Sequence, residues 1–249
     1  MQCIPLLKLA VLTYTGWTTR TGDATPTMRL TTSALLMLTG CLMAATANAQ
    51  SPLDTGRQLV MQGDGQGSAP CMTCHGADGA GMAAGGFPAL SQLAPGYMVK
   101  QLQDFKSGAR ASAVMAPTVA QLSEAQMDAV SQYYASQQPA APALATADEA
   151  LLARGAALVN EGDWSRYIVP CASCHGPDNR GVGAEFPALA GQHASYIKQQ
   201  LLAWQGGSRS NDPQQLMLAI AERLSAAEIE AVAEYLSRLP VSAPATGAP

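Results

Sequence analysis

The chain has 249 residues, 48% of them hydrophobic but only 5% aromatic, with a formal net charge of −4. It carries no basic cluster, which argues against nucleic acid as a partner. Beyond residue 49 there are 11 basic and 17 acidic residues, net −6, and no apolar run in that portion approaches the ~20 residues of a membrane span.

Residues 30–46 form an apolar stretch behind Arg29, followed by the A-x-A site Ala47-Asn48-Ala49. This pattern reads as a secretory signal peptide, with Met28 as an alternative start. A rival lies within it: Leu38-Thr39-Gly40-Cys41 resembles a lipoprotein cleavage site, which would tether the chain through Cys41. The A-x-A site is the better placed. The expected form is therefore a soluble mature chain from Gln50, with Cys3 and Cys41 lost. The predicted segments are a leader over 1–49, a first domain over 50–138, a linker over 139–147, a second domain over 148–240 and a disordered tail over 241–249.

The first domain opens with a predicted helix from Pro52, its apolar positions Leu53, Leu59 and Val60 spaced around Gly56. A glycine-rich loop, 63–70, leads to Cys71-Met72-Thr73-Cys74-His75. C-x-x-C-H is an attachment motif for covalent haem. Two thiols three positions apart can reach the two vinyl groups on one porphyrin edge, and the adjacent imidazole can meet the iron. Phe87-Pro88-Ala89-Leu90 follows, then a predicted helix over 97–106, a loop with Arg110, Met115, and a last helix opened by the capping box Ser123/Gln126.

After the Pro/Ala-rich linker the order repeats. Gly155 answers Gly56, Cys171-Ala172-Ser173-Cys174-His175 answers the first motif, and Phe186-Pro187-Ala188-Leu189 answers FPAL. A helix from Tyr196, Arg209, Met217 and the capping box Ser225/Glu228 complete the copy. The offset is 100 at the cysteines, 99 through FPAL and the middle helix, and 102 at the methionines. Such self-similarity implies tandem copies of one all-α fold, each wrapped around one haem. A haem in each domain would also relieve the shortage of aromatic core residues. Zinc held by two C-x-x-C pairs requires closer pairs than the 96 residues that separate these. A thioredoxin-like pair requires a βαβ context, and no strand-rich stretch flanks either motif.

Met217 is the only methionine after Cys171, 42 residues past His175. Transferred through the repeat it becomes Met115, 40 residues past His75. This register makes Met115 and Met217 the candidate sixth ligands. Met98 and Met127 fall on predicted helices, where methionine usually fills core. His193 is a competitor, but its counterpart is Ala94, so surface or haem-edge hydrogen bonding is expected of it. Pro88 and Pro187 could offer carbonyls to the second ring nitrogen of each ligating histidine.

These residues resemble the dihaem class I cytochromes c, specifically the cytochrome c4 family. The resemblance covers roughly residues 52–239 and rests on both C-x-x-C-H-G motifs, both FPAL stretches, Gly191–Tyr196, Ser208–Asp212 and both Met-to-capping-box stretches. It implies two covalent haem c groups on Cys71, Cys74, Cys171 and Cys174. It implies iron held by His75 with Met115 and by His175 with Met217, and carbonyl support from Pro88 and Pro187. The first half departs from the family's G-Q-x-x-x-Y, having Ser91-Gln92-Leu93 before Ala94-Pro95-Gly96-Tyr97. Arg110 and Arg209 are candidates for propionate pairing, with exposed loop arginines as the alternative.

His/Met ligation leaves substrate no vacant iron position, and thioether favours Fe(II). The expectation is a periplasmic or membrane-surface carrier of single electrons rather than an enzyme. The resemblance implies a quinol-oxidising complex or dehydrogenase as donor, and a terminal oxidase or reductase as acceptor. Two other classes stay open. One is a dihaem enzyme of peroxidase or thiosulfate-oxidising type. The other is a haem subunit of a membrane-bound dehydrogenase.

Overall fold

The computed structural model describes residues 51–91, 93–139 and 146–241. The leader with Cys3, Met28 and Cys41, Gln92, most of the predicted linker and the tail beyond Val241 lie outside the described residues. Among the described residues the regular structure is helical, with only three isolated bridges, one of them Asp163–Ile168.

The first half runs α1 (Pro52–Gln62), α2 (Met72–His75), α3 (Pro95–Ser107), α4 (Met115–Val119) and α5 (Glu124–Ala135). The second runs α6 (Glu149–Asn160), α7 (Ala172–His175), α8 (Ala194–Gln205), α9 (Leu216–Ala221) and α10 (Ala226–Ser237). Helix α1 starts where Ser51 accepts the Asp54 N–H at 3.1 Å and Pro52 supplies a fixed φ. Both predicted capping boxes are formed: Ser123 with Gln126, and Ser225 with Glu228.

Each half is built on a crossing of its first and last helices. A Cβ on Gly56 would stand 2.2 Å from the Ala129 carbonyl oxygen, and one on Gly155 would stand 2.2 Å from that of Ala231. The absent side chain lets the backbones touch, which tightens the packing of Leu59 and Val60 in one half and of Leu158 and Val159 in the other. Three expectations need adjustment. Leu53 lies on the outer face of α1, 46% exposed, because the buried stripe runs through Gly56, Leu59 and Val60. Helix α3 begins two residues early, since Pro95 is well suited to a first helical turn. Met115 and Met217 do not sit in open loops but in the first turn of the short helices α4 and α9.

Between the halves, helix α8 packs on the turn Ala83–Gly85 of the first half. Ala188 of the second half packs into the apolar cluster of Leu93, Tyr97 and Met98 in the first.

Candidate haem sites

Helices α2 and α7 are single turns, and that brevity sets the geometry. Each carries the second cysteine and the histidine of one motif, with the first cysteine at its N-cap and glycine immediately after. The His75 Nδ1–H points at the Pro88 carbonyl, 3.1 Å away, and the His175 Nδ1–H at the Pro187 carbonyl, 2.7 Å away. Phe87 and Phe186 pack edge-on against these rings, with centroids 6.2 Å apart in each half. Burial pushes both imidazoles below their ordinary pKa, and the proline carbonyls oppose this only in part. A neutral imidazole that donates through Nδ1 keeps a lone pair on Nε2, the form a metal requires.

Each histidine opens into a cavity. The first, about 900 Å³, is lined by Cys71, Cys74, His75, Pro88, Met115 and Val130 among others. The second, about 370 Å³, is lined by Cys171, Cys174, His175, Pro187, Met217 and Val232. Burial pushes the Cys71 and Cys171 thiols up to about 11, so neither is a poised thiolate of the redox-pair kind. Among the described residues no cluster of three or more metal-ligating side chains occurs, which leaves the zinc reading without a site. Apolar cavities carrying one imidazole, two thiols and at least one thioether fit a covalently attached haem.

The methionines differ in their surroundings. Met127 is core and Met82 is exposed. Met98 borders the first cavity, but Ile197 holds the same place in the second and has no ligating atom. That position is therefore a packing position.

Arg110 and Arg209 are not exposed loop residues. Both are 7% exposed, and both border the first cavity. Arg110 donates to Gln101 (2.8 Å), Tyr196 (2.9 Å) and Gln200 (2.7 Å). Arg209 donates to Gln200 (2.9 Å), Asn211 (3.0 Å) and Tyr97 (3.3 Å). Each guanidinium thus holds a tyrosine of the opposite half. Arg110 stacks on the Phe105 ring at 4.7 Å and Arg209 on that of Trp204 at 4.0 Å, but among the described residues neither has a carboxylate partner, so two buried cations border the first cavity without a counter-ion. Bound anionic groups would relieve that cost, and this too fits haem with its propionates.

His193 borders neither cavity. Its Nε2–H is 2.9 Å from the Ala80 carbonyl of the other half, so the expected haem-edge role gives way to an interdomain bond. Several site residues escaped the sequence reading: Tyr97 and Tyr196, Gln101 and Gln200, Ser112, Asp212 and Gln192. The first two pairs were visible as polar residues recurring at the offset of Arg110 and Arg209.

Comparison with known proteins gives a consistent result. A family model described as Cytochrome c matches residues 54–138 and again 152–240. Over 191 residues the chain is 46% identical to the thiosulfate dehydrogenase electron acceptor of Stutzerimonas stutzeri (strain A1501), covering 76% of this chain and 88% of that protein. It is 38% identical to cytochrome c4 of Thiocapsa roseopersicina, covering 71% and 91%. Among solved structures it resembles the thiosulfate dehydrogenase TsdBA from Marichromatium purpuratum at 43% identity and TM-score 0.71, covering 76% of this chain but 41% of that longer one. It resembles reduced cytochrome c4 from Pseudomonas stutzeri at 31% identity and TM-score 0.65, covering 76% and 98%.

Proposed function

Since the chain belongs to the cytochrome c family, as a cytochrome c4-like protein with two covalently bound haem c groups, we propose that it is a periplasmic carrier of single electrons that takes them from a thiosulfate dehydrogenase-type enzyme and passes them to a terminal oxidase or reductase. Haem supplies the change of valence. The protein supplies closure, orientation and charge. In this reading Cys71 and Cys74, and Cys171 and Cys174, form the thioether links. His75 with Met115, and His175 with Met217, would hold the iron.

The carrying observation is that each cavity pairs a buried imidazole, its Nδ1–H held by a proline carbonyl, with one methionine in register across the repeat. An iron held by both groups would offer substrate no vacant position, and ligands shared by both oxidation states would keep reorganisation small. The donor class is supported by the relatives whose names make them electron acceptors of thiosulfate dehydrogenase. Among the described residues no helix is long and apolar enough to cross a membrane.

Two measurements test the proposal. Purified, export-matured protein should be reduced when mixed with a thiosulfate dehydrogenase and thiosulfate, and should not oxidise thiosulfate alone. Turnover without the partner would make it a dihaem enzyme instead. Met217→Ala should abolish the Met–Fe(III) charge-transfer band of one haem only, and Met115→Ala that of the other. An unchanged spectrum refutes the ligand assignment.

A further inference from the structure

The second half reaches across the join and grips the two peptide groups on which His75 depends. The Pro88–Ala89 peptide faces two ways. Its carbonyl accepts the His75 Nδ1–H at 3.1 Å, and its N–H donates to Gln192 Oε1 at 2.9 Å. Gln192 Nε2 returns a bond to the Ala89 carbonyl, also at 2.9 Å. The Ala80–Gly81 peptide is arranged alike: its N–H donates to the His75 carbonyl at 2.9 Å, and its carbonyl accepts from His193 Nε2 at 2.9 Å. Gly81 lies close against the Pro88–Ala89 peptide, where a Cβ on it would stand 2.6 Å from the Pro88 oxygen. Gln192 is 3% exposed.

We infer that Gln192 and His193 are interdomain positioning residues that set the electron-donating strength of His75, so that docking of the second half lowers the reduction potential of the first haem. Hydrogen bonds that share a peptide group polarise one another. When Gln192 Oε1 accepts the Ala89 N–H, the Pro88 oxygen becomes more negative and draws harder on the His75 Nδ1–H. The imidazole gains donor strength at Nε2, which favours Fe(III). His193 acts on the neighbouring peptide and fixes the backbone from which the ring projects. The inference rests on His75 being an iron ligand.

Ser195 supplies the control. Its Oγ–H donates to the Ala83 carbonyl at 2.9 Å, a bond between the halves that involves neither peptide. The experiment is a redox titration of the holoprotein, resolved by haem through the NMR signals of the axial methionines, which Met115→Ala and Met217→Ala assign. Gln192→Leu should raise the reduction equilibrium constant of the first haem by about threefold to tenfold. His193→Ala should raise it by less, and Ser195→Ala should leave it unchanged. Because Gln192 also borders the second cavity, the readout is the first haem's shift relative to the second's. Equal shifts in both haems, no shift in the first, or an equal effect of Ser195→Ala would overturn the inference. Should Gln192→Leu fail to mature, His193→Ala alone decides it. If the wild-type protein lacked the axial methionine signals, the ligand reading would fail first and take this inference with it.

Discussion

Asp212 holds the second methionine turn by both its oxygens. Oδ2 accepts the backbone N–H of Met217 at 2.8 Å and of Leu218 at 3.3 Å, while Oδ1 accepts the Trp204 indole N–H at 2.8 Å. The first half does the same work with a neutral group: Ser112 Oγ accepts the Met115 N–H at 3.0 Å. Charge-assisted bonds are the stronger kind. Asp212→Ala would free the turn and leave the part-buried indole N–H unpaired, at a cost of about 1–3 kcal/mol. The expected result is that the Met–Fe(III) band of the second haem is lost at a lower temperature than in the wild type, with the first haem unaffected. Ser112→Ala should show a smaller effect on the first haem, about 0.5–1.5 kcal/mol. The thiols, imidazoles and candidate thioethers were legible in the sequence because each is fixed by residue type and spacing. Asp212 and Ser112 were not, because one role is filled by two residue types at positions that do not answer each other in the repeat.

At the scale of the helix, the crossings at Gly56 and Gly155 tolerate no side chain. Gly155→Ala would force α6 and α10 apart against a backbone oxygen 2.2 Å from the new carbon, which no rotamer relieves. Overpacking of this kind costs about 1–3 kcal/mol or more. Denaturant unfolding should show that loss with the slope unchanged, and Gly56→Ala should act likewise on the first half. Helix α10 carries a further device. Glu228 is bound by Arg166 at 2.7 Å and 3.1 Å and also by Arg154, and it closes the capping box on Ser225. Chiefly the Arg166 bond, helped by the Ser225 N–H and Arg154, holds its carboxyl down to about 2, against an ordinary value of 4.5. A carboxyl lowered on folding adds stability that is complete above its unfolded pKa and is lost as pH falls through the folded one. Glu228→Gln should therefore cost about 1–3 kcal/mol at pH 7, and the difference from wild type should vanish between about pH 4.5 and pH 2 in acid titrations of stability. The helices themselves were readable because the chain states each twice. The turns at Met115 and Met217 were not, since a single helical turn leaves no periodicity to detect.

Across the whole molecule the join between the halves was the least legible feature. Its bonds pair residues such as Ala89 with Gln192 and Arg110 with Tyr196, about a hundred positions apart, and no local pattern announces them. Arg110 and Arg209 combine two functions there that substitution can separate. Each brings charge beside the first cavity, and each brings a planar fork that spans the halves. Arg110 ties Gln101 of its own helix pair to Tyr196 and Gln200 of the other, while Arg209 ties Gln200 and Asn211 to Tyr97. Lysine keeps the charge but cannot reproduce the fork. Arg110→Lys should therefore loosen the join, with faster hydrogen exchange along α3 and α8 and a loss of about 1–3 kcal/mol, while both haem potentials stay close to wild type. Arg110→Leu should loosen it similarly but also lower the first haem's potential, because removing a buried cation beside the first cavity would favour Fe(III). Equal potentials in the lysine and leucine variants would show that the guanidinium acts as a strut alone, and that its charge is neutralised before it reaches the metal.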